Sequence, residues 1–329
     1  MKFRAYRIFN EDSKVVSRWV DMSLNDLDAG DVVIRAAYTS VNYKDALAAT
    51  GTGKIIRRFP CIGGIDVAGV VVSSQDSRFN AGDNVLVTGY EMGVAHDGGF
   101  AELVRVPADW VLHLPVGLSL HDAMSFGTAG FTAALSIYRL QQNDVKPDNG
   151  KVVVTGATGG VASLAIGMLK RLGYYVVAIT GKDSEQKYLQ SLGADEIMPR
   201  SAMDMNATRP LEKAQWAAAL DSVGGTTLAW LTRTMQQNGV IASFGNAGGV
   251  ELNTTVLPFI LRGVRLIGID SAATAMPLRH EIWNRLANEW RPQQLDKVCR
   301  TLPFEQLPVA LHEMLSVHVH GRTVIKISG

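Results

Sequence analysis

The sequence has few cysteines, with only Cys61 and Cys299 among its 329 residues. Neither cysteine has a partner at the spacing of a metal site, and a four-cysteine zinc lobe is excluded by the count alone. We therefore expect two reduced thiols, as in proteins of a reducing compartment.

An excess of charge and long apolar runs are also missing. The 32 basic and 31 acidic side chains give a formal net charge of +1, so no basic surface is available to hold nucleic acid. No run approaches the ~20 apolar residues of a membrane-spanning helix. The first residues, MKFRAYR, lack the apolar core of a signal peptide. These absences predict a cytoplasmic protein with no membrane or nucleic-acid partner.

The stretch from Val152 to Ala162 has the pattern of a buried strand joined to a helix by a glycine-rich turn. Valines 152–154 suit a parallel strand covered on both faces, apolar residues recur at helical spacing over 161–172, and a second apolar run follows at 175–179. Glycines let the backbone approach a ligand, and N–H groups at a helix start favour a pyrophosphate. The predicted cofactor contacts at this turn are Thr158, Gly159, Gly160, Val161 and Ala162.

The match to the dinucleotide-binding fingerprint is incomplete. In the register G-x-G-x-x-G/A the three positions are Ala157, Gly159 and Ala162, so only the middle glycine is present. A tight strand-to-helix turn without a ligand would give a similar pattern, and the choice depends on the residues that follow.

The residues after the next strand favour NADP(H). In NAD-binding units an acidic side chain about 20 residues on accepts the adenosine ribose hydroxyls, whereas Thr180, Gly181 and Lys182 stand there in this sequence. A hydroxyl and a cation suit the extra 2′-phosphate. Arg200, after the third strand, is a second candidate for the phosphate, or else a solvated arginine. Asp183 is predicted to cap the following helix.

The chain divides into a strand-rich part and a part in which helices and strands alternate. The predicted strands of the first part are 32–38, 65–72, 84–88 and 100–106. From about residue 121 the alternation predicts a doubly wound α/β sheet, and the last strand, 323–327, is expected to rejoin the first part. The predicted domains are 1–120 with 293–329, a small β-barrel, and 121–292, the nucleotide-binding domain.

Several motifs resemble those of the medium-chain dehydrogenase/reductase superfamily. The shared motifs are GIDVAG at 64–69, FNAGDNV at 79–85 and TAGFTA at 128–133. Four others resemble the acrylyl-CoA reductase branch of the quinone oxidoreductases: VNYKDAL at 41–47, GKIIR at 53–57, LPFILR at 257–262 and GRT at 321–323. The resemblance implies an NADPH-dependent, zinc-free reductase with a GroES-like first domain, a Rossmann second domain and, usually, a dimeric state.

The residues themselves also argue against zinc. Zinc-dependent relatives place a cysteine, a His-Glu pair and a further cysteine or histidine around the metal, and the matching places here hold Asn42, Ile65 and Asp66. Asparagine and isoleucine are poor zinc ligands. Without a Lewis acid, a conjugated thioester or a quinone is a better hydride acceptor than an unactivated ketone.

Two groups in the first domain are candidates for the reaction itself. Asn42, Tyr43 and Asp45 follow a strand and are the predicted catalytic residues; by the resemblance, Tyr43 lies near the nicotinamide. The alternatives are a helix cap for Asn42 or Asp45 and a core aromatic for Tyr43. The basic residues Lys54, Arg57 and Arg58 are predicted to bind the phosphates of an acyl-CoA substrate, or else form a solvated loop.

Four further residues are predicted to contact the cofactor: Thr128, Phe244, Asn246 and Ser271. The strand 265–269 is expected at the edge of the sheet, where an apolar edge invites pairing with a second copy, so we predict a homodimer. The leading functional hypothesis is reduction of acryloyl-CoA to propanoyl-CoA by NADPH. The alternatives are a quinone or enone reductase of broader range and an NADPH-binding structural or sensor protein without turnover.

Overall fold

The structure is a computed structural model that describes residues 2–205, 209–316 and 319–328. Contacts divide the chain into two compact units, Met1–Ala129 with Ser271–Ala287 and Cys299–Gly329, and Gly130–Asp270 with Asn288–Val298. Residues 121–129 and 271–287 thus group with the first unit, whereas the predicted boundaries assigned them to the second. The physical reason is burial, because Trp283 packs edge-on against Phe126 and Arg279 donates hydrogen bonds to Thr88.

The elements are numbered in chain order. The strands are β1 (Lys2–Glu11), β2 (Lys14–Ser23), β3 (Val32–Val41), β4 (Cys61–Ile62), β5 (Asp66–Ser74), β6 (Asn84–Thr88), β7 (Leu103–Val106), β8 (Leu112–His113), β9 (Lys151–Val154), β10 (Tyr175–Thr180), β11 (Glu196–Pro199), β12 (Trp216–Asp221), β13 (Met235–Ser243), β14 (Arg265–Gly268), β15 (Cys299–Pro303) and β16 (Arg322–Lys326). The helices are α1 (Tyr43–Thr50), α2 (Leu120–Gln142), α3 (Gly160–Arg171), α4 (Gln186–Leu192), α5 (Gly225–Thr234), α6 (Leu257–Arg262), α7 (Met276–Ala287), α8 (Leu295–Val298) and α9 (Leu307–Met314). Short 3₁₀ turns occupy Leu24–Asp26, Ala108–Trp110, Pro147–Asn149, Asp183–Glu185, Arg200–Ala202 and Phe304–Gln306.

The first unit contains two sheets. A three-stranded sheet has the order β2-β1-β4, and a seven-stranded sheet has the order β15-β16-β3-β5-β6-β8, with β7 also paired to β3. Strand β16 pairs antiparallel with β3, which confirms that the last strand returns to the strand-rich part of the chain. Buried side chains of these strands, among them Ile34, Val67 and Val87, share one core.

The second unit is built on a six-stranded parallel sheet with the order β11-β10-β9-β12-β13-β14. The strand order reverses between β9 and β12, which makes the sheet doubly wound, as predicted. In such sheets ligands bind outside the carboxyl ends of the strands at this reversal. Strand β14 lies at an edge, again as predicted. Val153, Ile179 and Ile241 are buried in the core of this unit.

Several predicted bounds are wrong by a few residues. The strand predicted over 100–106 begins later, at Leu103, and the one predicted over 65–72 extends to Ser74. Helix α2 runs from Leu120 to Gln142 and is interrupted at Gly127. In the part of the chain that the structure describes, no helix has both the length and the apolar composition needed to cross a membrane.

Candidate cofactor and substrate sites

The glycine-rich turn between β9 and α3 has the geometry of an anion-binding turn. Gly156 has φ +58°, and a Cβ there would lie 2.4 Å from Ser222 Oγ, so only glycine fits. Gly159 is the N-cap of α3, and no side chain of the described residues caps this end. The N–H groups of Gly160, Val161 and Ala162 therefore remain available to a phosphate. Thr158 and Ala162 are buried, so Ala162 can offer only its backbone.

A buried carboxylate supports this turn. Asp221, at the carboxyl end of β12, accepts hydrogen bonds from Thr155 Oγ1 and from the backbone N–H groups of Val223 and Gly224. Burial raises the pKa of Asp221 above its usual range, while the hydrogen bonds oppose that rise. The sequence analysis did not identify Asp221, although its place at a strand end beside two glycines was a usable signal.

The glycines after β13 pack against the same support. A Cβ on Gly245 would lie 2.4 Å from the carbonyl oxygen of Ser222, and Gly224 forms a backbone bridge with Gly249. Phe244 is half-buried, and its N–H donates to the Asp221 carbonyl oxygen. Asn246 is exposed, so its side chain is available to a ligand. The turns 156–160 and 245–249 are thus held by one stretch, 221–225.

The carboxyl end of β10 carries two cations. Thr180 is buried and its Oγ1 accepts a 3.0 Å hydrogen bond from the N–H of Lys182. The guanidinium of Arg200 packs on Gly181, with its carbon and nitrogen atoms 3.3–3.4 Å from the position a Cβ would take. Asp183 lies in a 3₁₀ turn whose N-cap is Lys182, so the predicted capping role of Asp183 is wrong. Lys182 and Arg200 therefore flank the same strand end, where a 2′-phosphate would be expected.

In the first unit, Asn42 and Asp45 form a capping box at the start of α1. The Asp45 carboxylate accepts hydrogen bonds from the Asn42 N–H at 2.8 Å, from Asn42 Nδ2 at 3.1 Å and from the Ile65 N–H at 3.0 Å. Asn42 is 9% exposed and Asp45 is 2% exposed. Burial and the nearby Asp66 raise the pKa of Asp45 to about 7, against the three hydrogen bonds. Tyr43, by contrast, is 52% exposed.

A second carboxylate links this capping box to α2. Asp66 is fully buried and accepts hydrogen bonds from Asn42 Nδ2 at 2.8 Å and from Ser40 Oγ at 2.5 Å. The N–H and Oγ1 of Thr128 also donate to it. The structure thus brings Thr128 to Asn42 through Asp66, a connection that the sequence analysis missed. Ser271 is half-buried, and its carbonyl oxygen accepts a hydrogen bond from Arg279.

The predicted CoA-binding residues lie at the surface of the first unit. Arg57 pairs with Glu91 at 3.1 Å, Arg58 pairs with Asp28, and Lys54 is exposed. Exposed ion pairs contribute little to stability, roughly 0–1 kcal/mol. This small contribution applies to Arg57 and Glu91, whereas Asp28 is more buried and also accepts a hydrogen bond from the Asp97 N–H.

The chain is similar to known proteins over both of its units. The model of the alcohol dehydrogenase GroES-like domain matches residues 28–116, and that of the zinc-binding dehydrogenases matches residues 160–287. The "Probable acrylyl-CoA reductase AcuI" of Escherichia coli is 43% identical over 325 residues, covering 99% of this chain and 100% of that protein. The chain belongs to the medium-chain dehydrogenase/reductase superfamily. Its fold, a GroES-like domain and a Rossmann domain, is the one predicted.

Two further superfamily members resemble the chain over nearly its whole length. The "Putative quinone oxidoreductase YhfP" of Bacillus subtilis is 47% identical over 307 residues, 93% of each chain. The crystal structure of B. subtilis yhfP with NAD bound has a TM-score of 0.97, 45% identity, and covers 99% of this chain and all of that one. The yhdH oxidoreductase of Salmonella enterica, in complex with NADP, has a TM-score of 0.96 at 45% identity, covering 99% of this chain and all of that one.

The second family model is named after zinc-binding dehydrogenases, but the residues of this chain do not fit a zinc site. Across residues 2–205, 209–316 and 319–328, no group of three or more His, Cys, Asp or Glu side chains could hold a metal ion. At the positions matched with zinc ligands, Ile65 offers no side-chain donor atom, and Asn42 and Asp66 are hydrogen-bonded to each other. A dinucleotide, on the other hand, fits the uncapped start of α3 and the two cations after β10.

Proposed function

We propose that the chain is an NADPH-dependent reductase that transfers hydride to the carbon–carbon double bond of a short α,β-unsaturated acyl-CoA, converting acryloyl-CoA to propanoyl-CoA. The observation that carries the proposal is the end-to-end similarity to the acrylyl-CoA reductase AcuI. The glycine turn before α3 and the cations Lys182 and Arg200 near the end of β10 agree with it. The second candidate is a quinone or enone reductase of broader range, which the similarity to YhfP favours.

The preference for NADPH over NADH rests on the carboxyl end of β10. An NAD-binding site needs an acceptor for the ribose hydroxyls, usually a carboxylate. Lys182 and Arg200 would instead pair with the 2′-phosphate, and Thr180 adds a hydroxyl. The relatives are divided, since yhdH was solved with NADP and yhfP with NAD. The two cations support NADPH for this chain.

In the proposed reaction, bound NADPH supplies a hydride to the β-carbon of the thioester. The double bond opens toward the carbonyl, and the resulting enolate takes a proton from water at the α-carbon, so that acryloyl-CoA, NADPH and one proton give propanoyl-CoA and NADP⁺. Hydrogen-bond donors near the thioester oxygen lower the barrier by stabilising the enolate. Tyr43 is the exposed member of the predicted catalytic group and the one that can reach a ligand.

Asn42 and Asp45 have a different proposed role. Both amide hydrogens and the oxygen of Asn42 are engaged inside the protein, and Asp45 accepts three internal hydrogen bonds. These side chains therefore position Tyr43 at the start of α1. Lys54, Arg57 and Arg58 are proposed to hold CoA phosphates, because arginine binds phosphate bidentately.

We further propose a cytoplasmic homodimer. Strand β14 is paired on one side alone by the strands of residues 2–205, 209–316 and 319–328, and Val256, Ile260 and Leu261, in or beside α6, are well exposed. Pairing two such edges would bury apolar surface and satisfy backbone groups. A monomer in light scattering at micromolar concentration would contradict the dimer. The buried Cys61 suits a reducing compartment.

An acceptor panel tests the function directly. NADPH oxidation is followed with acryloyl-CoA, with a quinone, and without an acceptor, after NADPH binding has been measured by calorimetry. Preference for acryloyl-CoA supports the leading proposal, and equal or faster turnover of the quinone supports the second candidate. Binding without turnover of any acceptor would indicate a structural or sensor protein, and no binding at all would overturn the proposal.

A further inference from the structure

A buried arginine stands at the centre of the polar group in the first unit. The Arg322 side chain, at the start of β16, is 3% exposed. Its guanidinium donates to Asn42 Oδ1 at 3.0 Å, to Ser40 Oγ at 2.8 Å and to the carbonyl oxygen of Val41 at 3.2 Å. A buried charge of this kind needs both hydrogen bonds and an opposite charge.

The opposite charge is Asp66. Its Oδ2 lies 3.8 Å from Arg322 Nη2, and Ser40 connects the two by accepting a hydrogen bond from the guanidinium and donating one to the carboxylate. Asn42 makes a second connection, since its oxygen faces Arg322 and its Nδ2 faces Asp66. We call these four side chains the Arg322 cluster. Each polar side chain of the cluster therefore depends on the arginine directly or through one intermediate.

The break in α2 lies against this cluster. Gly127 has φ +50° and ψ −155°, which are not helical values. A Cβ on this glycine would lie 2.5 Å from Asp66 Oδ2, 2.6 Å from Ser40 Oγ and 2.7 Å from Arg322 Nη2. The backbone of α2 thus touches the cluster. The helix resumes at Thr128, whose N–H and Oγ1 both donate to Asp66.

Two residues proposed to contact the ligands are fixed by this arrangement. Thr128 is held by Asp66, and Tyr43 follows Asn42 directly at the first position of α1. We propose that Arg322 is a positioning residue for the reaction: it is the internal cation that holds Thr128, through Asp66, and Tyr43, through Asn42, in their working geometry. The inference rests on the proposed function and names a residue outside the predicted site.

The buried carboxylate of Asp66 needs a cation beside it. The Asp66 carboxylate is fully buried, and the guanidinium, which also donates to Asn42 Oδ1, supplies the positive charge beside it. Asp45 adds a further carboxyl next to Asp66. Removal of Arg322 would leave Asp66 buried without its counter-ion, which is far more costly than loss of an exposed pair.

The test is Arg322→Ala with chemical rescue. We expect kcat to fall by about tenfold to a hundredfold, because small displacements of positioned groups have effects of this size. Millimolar guanidinium chloride should restore most of the lost kcat by refilling the space, whereas equal urea, which has the same shape and no charge, should not. Arg322→Lys keeps the charge without the fork and should show an intermediate kcat. This variant carries the test if the alanine variant does not fold.

Controls separate positioning from mere stability. Arg262→Ala removes another arginine that donates to backbone carbonyls, those of Arg233 and Met235, and none of these three residues belongs to a proposed site. It should lower the melting temperature and leave kcat unchanged. An Arg322 variant that loses stability but keeps kcat and KM would overturn the inference, and so would equal rescue by urea. The kcat of each protein is measured with both a quinone and acryloyl-CoA. If the acyl-CoA assignment is wrong, the wild type itself will turn over acryloyl-CoA poorly, and this result is distinct from a loss of kcat confined to the Arg322 variants.

Discussion

Thr155 Oγ1 donates a 2.6 Å hydrogen bond to Asp221 Oδ1, and both residues are fully buried at the carboxyl ends of adjacent parallel strands. Thr155 precedes the glycine turn that begins at Gly156, and Asp221 precedes the turn that supports Gly245. This hydrogen bond is therefore one of those that connect the two glycine turns proposed to contact the cofactor. The acceptor is a carboxylate, whose two oxygens accept hydrogen bonds from Thr155, Val223 and Gly224 at the same time.

Asp221→Asn should weaken NADPH binding about tenfold, because the amide nitrogen would face a backbone N–H and leave a buried donor without an acceptor. Calorimetric titration with NADPH measures the change. Thr155→Val, which removes the hydroxyl, should have a similar effect, whereas Thr155→Ser, which keeps it, should be close to wild type. Wild-type affinity in both Asp221→Asn and Thr155→Val would show that the hydrogen bond does not shape the turn.

Lys182→Asp should reverse the cofactor preference. The carboxylate would repel the 2′-phosphate and could accept the ribose hydroxyls of NADH, so we expect the NADPH-to-NADH affinity ratio to fall by about a hundredfold. Lys187→Asp makes the same change of charge at an exposed position in α4 and serves as the control. If both variants change the ratio equally, general electrostatics and not a phosphate contact is responsible. NADH bound by the wild type as tightly as NADPH would refute the site.

Arg57→Ala together with Arg58→Ala should raise KM for the CoA thioester by about tenfold and leave KM for a quinone nearly unchanged, because only the thioester carries phosphates. Steady-state kinetics with both acceptors gives the comparison. Arg18→Ala removes another exposed arginine of an ion pair, the one with Glu11, and should affect neither KM. An equal increase for both acceptors would remove the two arginines from the CoA site.

Asp45 should make the stability of the protein depend on pH. Its pKa is about 7 in the folded protein against an ordinary value of 3.8, so the folded state holds the proton more tightly than the unfolded state. Stability from this group is greatest at low pH and is lost as the pH rises toward 7, by about 3 kcal/mol from pH 5 upward. The groups that face it are Asp66, Asn42 and the Ile65 N–H.

Urea unfolding of the wild type and of Asp45→Asn, from about pH 5 to about pH 8, measures this dependence. The wild type should lose free energy of unfolding across the range, and the variant, which has no proton to lose, should lose much less. Groups that do not interact with Asp45 contribute equally to both proteins, so the difference reports on Asp45 and its coupling to Asp66. The same slope in both would mean that Asp45 stays ionised in the folded state.

The sequence predicted the local elements near the cofactor well because their signals are local. The buried valine strand, the glycine turn and the helix after it lie within residues 151–171, and their periodicity is strong. The hairpin of β1 and β2 was missed, since its turn uses Asp12 and Ser13 at positive φ, where Asn-Gly or Asp-Gly is the usual signal. The break in α2 was missed because the Arg322 cluster, against which it lies, comes from distant residues.

The sequence by itself determined the class of the fold, the glycine turn and the lysine after β10, whereas the contact of Arg200 with Gly181 comes from the tertiary structure. These follow from the spacing of neighbouring residues, which local sterics and helix dipoles translate directly into structure. Only the tertiary structure decided which polar groups are used internally. Asn42, Asp66, Thr128 and Arg322 are separated by up to 280 residues, yet they share hydrogen bonds. The physical reason is that a buried polar group must find its partner in space, and the order of residues along the chain does not reveal that partner.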